Sequence, residues 1–254
     1  MAERPIFVST PDSDELVKEI FFQIHWHSGF ARVQKEKNIE ELQRAAAAAG
    51  GYRNLLEIST KSKSERGQHL SAFHMTAETE SQGTIKLELA FQGSKVFALG
   101  GPFTDLYGKG ENEIGEAKRD PRLQESGKLV GFQFEGFTWP LEPKTAFYDW
   151  LYISFLKKYQ DWAPKLYAYG GFTDVEFNPH RSINCQARSC ALFLSLMKLN
   201  LIDEATQSPQ AFIRTLLGFD YRPQLRAEHS SQSALFAGAP KRLWTHDNIA
   251  IRRS

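Results

Sequence analysis

The chain has 254 residues, with 31 Lys and Arg against 30 Asp and Glu and a formal net charge of +1. That balance argues against a protein that grips nucleic acid mainly through backbone phosphates, which needs a strong basic excess. Hydrophobic residues make up 41% of the chain and include 19 Phe, enough for a real core in one large domain or one domain with appended elements. Arg4-Pro5-Ile6-Phe7 runs into polar residues rather than an apolar stretch, so no signal peptide is expected. No segment approaches the roughly 20 apolar residues of a membrane span. No membrane association is expected, and the expected location is the cytoplasm.

In chain order, the apolar side chains at 20, 22, 24 and 26 alternate and predict a strand over Ile20 to Trp26. Asn38, with Glu41 three residues on, reads as the N-cap of a helix that the Gly50-Gly51 pair stops. Leu55 to Ser59 reads as a second strand, and Thr60 to Gln68 as a polar surface loop. A short apolar knot, Leu70-Ser71-Ala72-Phe73, precedes a strand over Thr84 to Leu87. A helix is predicted from Glu88 to about Leu99, closed by Gly100-Gly101 and Pro102. Residues 103 to 128, polar and Gly-rich, read as an irregular excursion, and Leu129 to Phe134 alternates as a strand. Trp139 to Pro143 is rigid extended chain, and a helix follows from Thr145, ending before Pro164. Phe172 to Phe177 is a short strand, Asn184 to Leu199 an almost wholly apolar helix, and Ser208-Pro209 caps a last helix that stops at Gly218. The fold class is α+β, with more helix than sheet and an N-terminal strand-helix extension.

Two cysteines, Cys185 and Cys190, fall in the apolar helix about 140° apart in azimuth, which predicts neither a disulfide nor a shared metal. His25 and His27 flank Trp26 with no third ligand at a suitable spacing, so no metal site is expected. Neither a Gly-rich phosphate loop nor a G-x-S-x-G elbow occurs, and no cofactor is expected.

The chemistry-bearing pattern is Glu88, Gln92 and Lys95, at i, i+4 and i+7. At ~100° per residue they share one stripe of a helix. The neighbours Leu89, Ala90, Phe91, Val96 and Phe97 call for burial of the rest of its surface. Such a stripe either meets water or lines a pocket, and periodicity alone favours water.

This Glu-x-x-x-Gln-x-x-Lys run, with Phe97 two residues beyond, resembles the central signature of the NADAR (YbiA-like) family. Ser71-Ala72-Phe73, Asp149-Trp150, Asp174-Val175-Glu176 and Asn184 resemble further landmarks of that family, in the same order. Leu89 stands where the family carries histidine, and Phe147-Tyr148 stand in place of an arginine before Asp-Trp. The long N-terminal extension, Gly100-Gly101-Pro102, Pro143 to Trp150 and Glu176-Phe177-Asn178-Pro179 resemble in particular the NADAR antitoxins paired with DarT-type toxins.

The resemblance implies a NADAR-like catalytic domain over 55–220, an N-terminal extension over 1–54 and a C-terminal tail over 221–254. It implies a metal-independent hydrolase that removes ADP-ribose from guanine in DNA, with single strands the expected form, and a DarT-type toxin as partner. It also implies Glu88, Lys95, Asp149 and Glu176 as catalytic, with Ser71, Phe73, Gln92, Trp150 and Asn184 binding substrate. Four of them have a plainer reading beside this one: Asp149 as a helix N-cap, Trp150 as a core aromatic, Asn184 as a structural cap, and Lys95 as a charge that merely steadies substrate. Two rival functions remain open. One is an N-glycosidase on a small molecule of the riboflavin pathway. The other is a non-catalytic antitoxin that binds its toxin through aromatics such as Trp26, Phe30 and Trp244.

Overall fold

The computed structural model describes residues 1–159 and 162–219. It opens on two antiparallel strands, β1 (Ala2–Ser9) and β2 (Val17–Ile24), paired from Ala2 opposite Ile24 to Ser9 opposite Val17. The strand expected over 20–26 is therefore the second arm of a hairpin, three residues earlier at its start and two at its end. Its partner β1 has no clean alternation, because Glu3, Arg4 and Pro5 interrupt the apolar pattern.

Helix α1 (Arg32–Ala48) follows, and Asn38 does not cap it. Good helix formers from Arg32 to Lys37, with Arg32 paired to Glu36 at 2.8 Å, start the helix nearly two turns earlier. Asn38 is instead buried in mid-helix. Its Oδ1 accepts from the His27 backbone N–H (2.8 Å) and its Nδ2 donates to the His27 carbonyl (3.0 Å), clamping the connection from β2.

Next come β3 (Leu55–Glu57), a short α2 (Glu65–His69) that begins within the segment read as loop and ends one residue beyond it, and the hairpin β4 (Thr76–Thr79) and β5 (Gly83–Lys86). Helix α3 (Leu87–Gly93) is buried throughout and ends six residues short of the expected Leu99. At Gly93 the Tyr107 ring occupies the place of a side chain, only 2.4 Å from where a Cβ would sit. Ser94 then turns the chain, its hydroxyl bonded to the Ala90 carbonyl (2.6 Å) and near the Tyr107 hydroxyl (3.0 Å). Beyond it, β6 (Lys95–Phe97) is a strand. Val96 and Phe97 suit a pleated ladder better than a helix, and the ladder partner lies far along the chain, out of reach of local periodicity.

The excursion after β6 carries α4 (Ile114–Ala117) and α5 (Arg122–Glu125), and Leu106, Ile114 and Ala117 pack with Leu89 of α3. Strands β7 (Leu129–Phe134) and β8 (Phe137–Trp139) complete a three-stranded sheet with β6. The remaining elements are α6 (Ala146–Lys157), α7 (Ala163–Leu166), β9 (Gly171–Thr173), α8 (Gln186–Lys198), α9 (Ile202–Ala205) and α10 (Pro209–Leu217). Ser208 caps α10 as expected, accepting from the Ala211 N–H at 3.1 Å. Asn184 does not open α8, which begins two residues later, so the asparagine lies on the preceding loop. Cys185 and Cys190 are free and buried.

The main sheet runs β2-β1-β9-β3, with β9 antiparallel to β1 and parallel to β3. The N-terminal hairpin is thus hydrogen-bonded into the sheet formed by residues far downstream. Helices α6 and α8 are buried on nearly every side and pack together behind the sheet, α8 lying on β1. The architecture is α+β. Among the described residues no helix is long and apolar enough to cross a membrane. The C-terminal tail and its Trp244 lie outside the described residues.

Asn38→Ala removes both hydrogen bonds to His27 and leaves a buried cavity and two backbone groups without partners. It should lower the unfolding free energy by about 2–3 kcal/mol in denaturant titrations. A loss near the few tenths of an exposed polar substitution would show that the clamp is not needed.

Candidate active site

Two cavities lie side by side. One, of about 390 Å³, has apolar walls that include Phe91, Phe132, Phe147 and Pro140. The other, of about 490 Å³, is polar and is lined by Arg4, Trp26, Lys35, Glu88, Asp174 and Glu176, among others. Tyr148 and Asn184 belong to both linings and mark the partition where the cavities adjoin. Both volumes fall in the roughly 300–1,000 Å³ range of small-molecule sites.

The Glu88, Gln92 and Lys95 side chains run from one cavity to the other. Gln92 Nε2 donates to Glu88 Oε1 (2.9 Å), and Lys95 Nζ donates to Gln92 Oε1 (2.6 Å). Glu88 faces the polar cavity and Lys95 the apolar one. Because α3 stops at Gly93, Lys95 reaches Gln92 from the first residue of β6 rather than from a continuous helix. The three groups meet all the same. Their stripe faces a cleft, not bulk water.

Electrostatics around the pair are asymmetric. Burial holds the Lys95 ammonium below the usual lysine range, opposed by Glu88 and reinforced by the like charge of Lys118. Lys118 itself is ion-paired with Glu88 at 3.1 Å, and its ammonium sits 5.0 Å from the centre of the Phe73 ring. Lys95 stands in the same relation to Phe91, at 5.0 Å.

The opposite wall is built where β3 and β9 end. Glu57 is buried, with Oε2 accepting from Thr173 (2.5 Å) and Oε1 from the Val175 N–H (2.9 Å). Asp174 accepts from the backbone N–H groups of Glu176 (3.0 Å) and Phe177 (3.2 Å) and from Gln186 Nε2 (3.1 Å). Burial first, and then the neighbouring Glu57, push the Asp174 carboxyl up to about 8. Burial likewise raises Glu57. Glu176 lies at the rim, paired with Lys35 at 2.8 Å.

Of the residues singled out from the sequence, Glu88, Lys95, Phe73, Asn184 and Glu176 line this pair of cavities, and Gln92, which lines neither, bridges Glu88 and Lys95. Asn184 Oδ1 is buried there with no hydrogen-bond partner. Three residues are placed elsewhere. Ser71 is buried beneath the 70–73 turn and lines neither cavity. Trp150 packs in the aromatic core against Trp139 and Phe147, its Nε1 donating to the Thr206 carbonyl (3.3 Å), and borders a separate cavity of about 640 Å³. Asp149 is 1% exposed and accepts from Arg188 (2.9 Å), Ser189 (2.5 Å) and Thr145 (2.8 Å). Thr145 precedes α6 with a left-handed φ of 68°, and its bond to Asp149 helps hold that strained turn in the apolar cavity's wall.

Sequence reasoning did not single out Arg4, Lys35, Lys118 or Tyr148 for the site. Lys118 comes from the excursion read as irregular, Arg4 from an unrecognised strand and Lys35 from a turn placed ahead of the helix. Tyr148 and Asp174 stood inside quoted motifs without a role of their own.

Taken together, the α+β fold and the Glu-Gln-Lys chain between paired cavities define a NADAR-type protein. The sequence profile of the DarT1-associated NADAR antitoxins matches residues 2–225, and the chain belongs to that family. No curated protein matches the chain.

Two outcomes follow from this geometry. Asp149→Asn weakens a buried ion pair with Arg188, so it should destabilise the fold by about 3 kcal/mol, read as a lowered denaturation midpoint. Asp174 ionises near 4 when unfolded but only near 8 when folded. Between those values the unfolded state has already released the proton that the native state keeps, so this group's contribution to stability declines as pH rises. Melting curves should therefore show Asp174→Asn gaining on the parent protein between pH 5 and 8. A constant difference across that window would contradict the assignment.

Proposed function

We propose that this antitoxin is a glycohydrolase that removes ADP-ribose from guanine bases of DNA. The observation that carries the reading is the hydrogen-bonded chain Glu88–Gln92–Lys95, which spans the partition between an aromatic cavity and a polar one. A flat base suits the aromatic cavity, and a charged sugar-phosphate suits the polar one. The bond between them would then lie at Tyr148 and Asn184, within reach of both the carboxylate and the amine.

The bond to be broken joins C1″ of the ribose to the exocyclic nitrogen of guanine. Opening of the ribose ring turns C1″ into an imine carbon. The neutral Lys95 amine, favoured by burial, adds to that carbon. A proton passes through Glu88 to the guanine nitrogen, which leaves, and Lys95 remains joined to C1″ as an imine. Water then adds to C1″ and expels the lysine amine, and the sugar closes as free ADP-ribose. Gln92 orients both groups by accepting from one and donating to the other. The sum is one water consumed, with guanine and ADP-ribose released. Asp149 and Trp150 support this reading only through the fold, and Glu176 as a rim residue.

Incubation with a guanine-ADP-ribosylated oligonucleotide should release ADP-ribose, and Lys95→Ala or Glu88→Gln should reduce the rate at least a thousandfold with the melting temperature nearly kept. Borohydride added during turnover should fix ADP-ribose to Lys95 in peptide mapping. Release without any trapped adduct would reject the imine step alone; no release by the parent protein would reject the whole reading. In cells, Lys95→Ala should also abolish protection from the toxin, whereas a purely binding antitoxin would keep it.

A further inference from the structure

Arg4 is the unexplained group in the polar cavity. It lies in β1 and is only 8% exposed. Its Nη1 donates to the neighbouring Glu3 carbonyl (2.8 Å), yet its Nε is buried with no hydrogen-bond partner. The guanidinium lies 4.4 Å from the centre of the Trp26 ring, and Lys35 Nζ lies 5.7 Å from the same ring. All three residues line the cavity. A buried guanidinium with an unsatisfied donor is costly unless something supplies acceptor oxygens.

The charges of the cavity say what that something is. Glu88 is matched by Lys118 (3.1 Å) and Glu176 by Lys35 (2.8 Å). Asp174, pushed up to about 8, is largely uncharged at neutral pH. Arg4 and the exposed Arg181 are left: among the described residues neither forms an ion pair, and Asp174 and Glu176 act on Arg4 from beyond ion-pair distance. The cavity therefore carries a net positive charge, and its deepest cation without an ion pair is a planar fork lying over an indole. That fork fits two phosphate oxygens better than an ammonium would.

We propose that Arg4, held by Trp26, is the diphosphate-binding residue of this site, so that the N-terminal hairpin selects a nucleoside diphosphate sugar over a sugar monophosphate. The assignment rests on the proposed ADP-ribose chemistry for its substrate but is tested by binding alone. Arg4 contacts the diphosphate; Trp26 acts through it as a positioning residue.

Calorimetry with the full chain should show ADP-ribose binding at least tenfold more tightly than ribose 5-phosphate. Arg4→Gln should lose at least tenfold for ADP-ribose and bring the two ligands level. The ³¹P resonances of ADP-ribose should shift on binding to the parent protein and stay near their free positions with the variant. On the modified oligonucleotide the variant should raise KM at least tenfold, with kcat changed less than threefold. Should Arg4→Gln not fold, Trp26→Leu, a change in the loop after β2, carries the test: at least a threefold loss of ADP-ribose affinity, restored by Trp26→Phe. A folded Arg4→Gln, or failing that Trp26→Leu, with parental affinity for ADP-ribose overturns the assignment, as does equal binding of the two ligands by the parent protein. Binding that follows these expectations without release of ADP-ribose from guanine would sink the proposed reaction and leave the diphosphate site standing.

Discussion

One carboxamide holds the site's framework together. Gln186, in the first turn of α8, accepts from the Ala72 N–H (2.8 Å) and donates to the Ile58 carbonyl (2.8 Å) and to Asp174 (3.1 Å). It thereby ties together the end of β3, the 70–73 turn and the start of the loop after β9, where Ile58, Ala72 and Asp174 are buried and their polar groups need partners. Phe73 from one of these segments and Asp174 to Glu176 from another then face the polar cavity. With this residue in place, three unrelated stretches of chain meet at one wall.

The opposite wall depends on a helix ending early. Had α3 continued to Leu99, Lys95 would have remained on a helical edge and β6 could not pair with β7. Tyr107 against Gly93, and Ser94 bonded back to Ala90, redirect the chain there. The redirection puts Lys95 in the apolar cavity while Glu88 stays in the polar one, with Gln92 bridging them. Side chains in different environments thus arise from residues only seven apart.

The buried Asp149–Arg188 pair takes its carboxylate from the family motif yet lines neither cavity. Arg188 also reaches Glu19 of β2 at 3.0 Å, so α6, α8 and the N-terminal hairpin are joined through one guanidinium. Asp149-Trp150 belongs to the pattern that made the family recognisable, but both side chains support the walls rather than line them.

From the sequence alone came the α+β class, the α6 and α8 segments, α10 with its cap at Ser208, the strand over 129–134, and the Glu88–Gln92–Lys95 set with its family. Those signals are local: periodicity, caps and one short motif lie within a few turns of chain. Tertiary structure decided the rest. It made β1 a central strand despite Pro5, turned Asn38 from a cap into a buried clamp, and ended α3 at Gly93. It also drew Arg4, Lys35 and Lys118 from distant segments into one cavity and sent Trp150 to the core. Such placements depend on strand pairing and side-chain packing between residues far apart in the chain, and no local pattern carries that information.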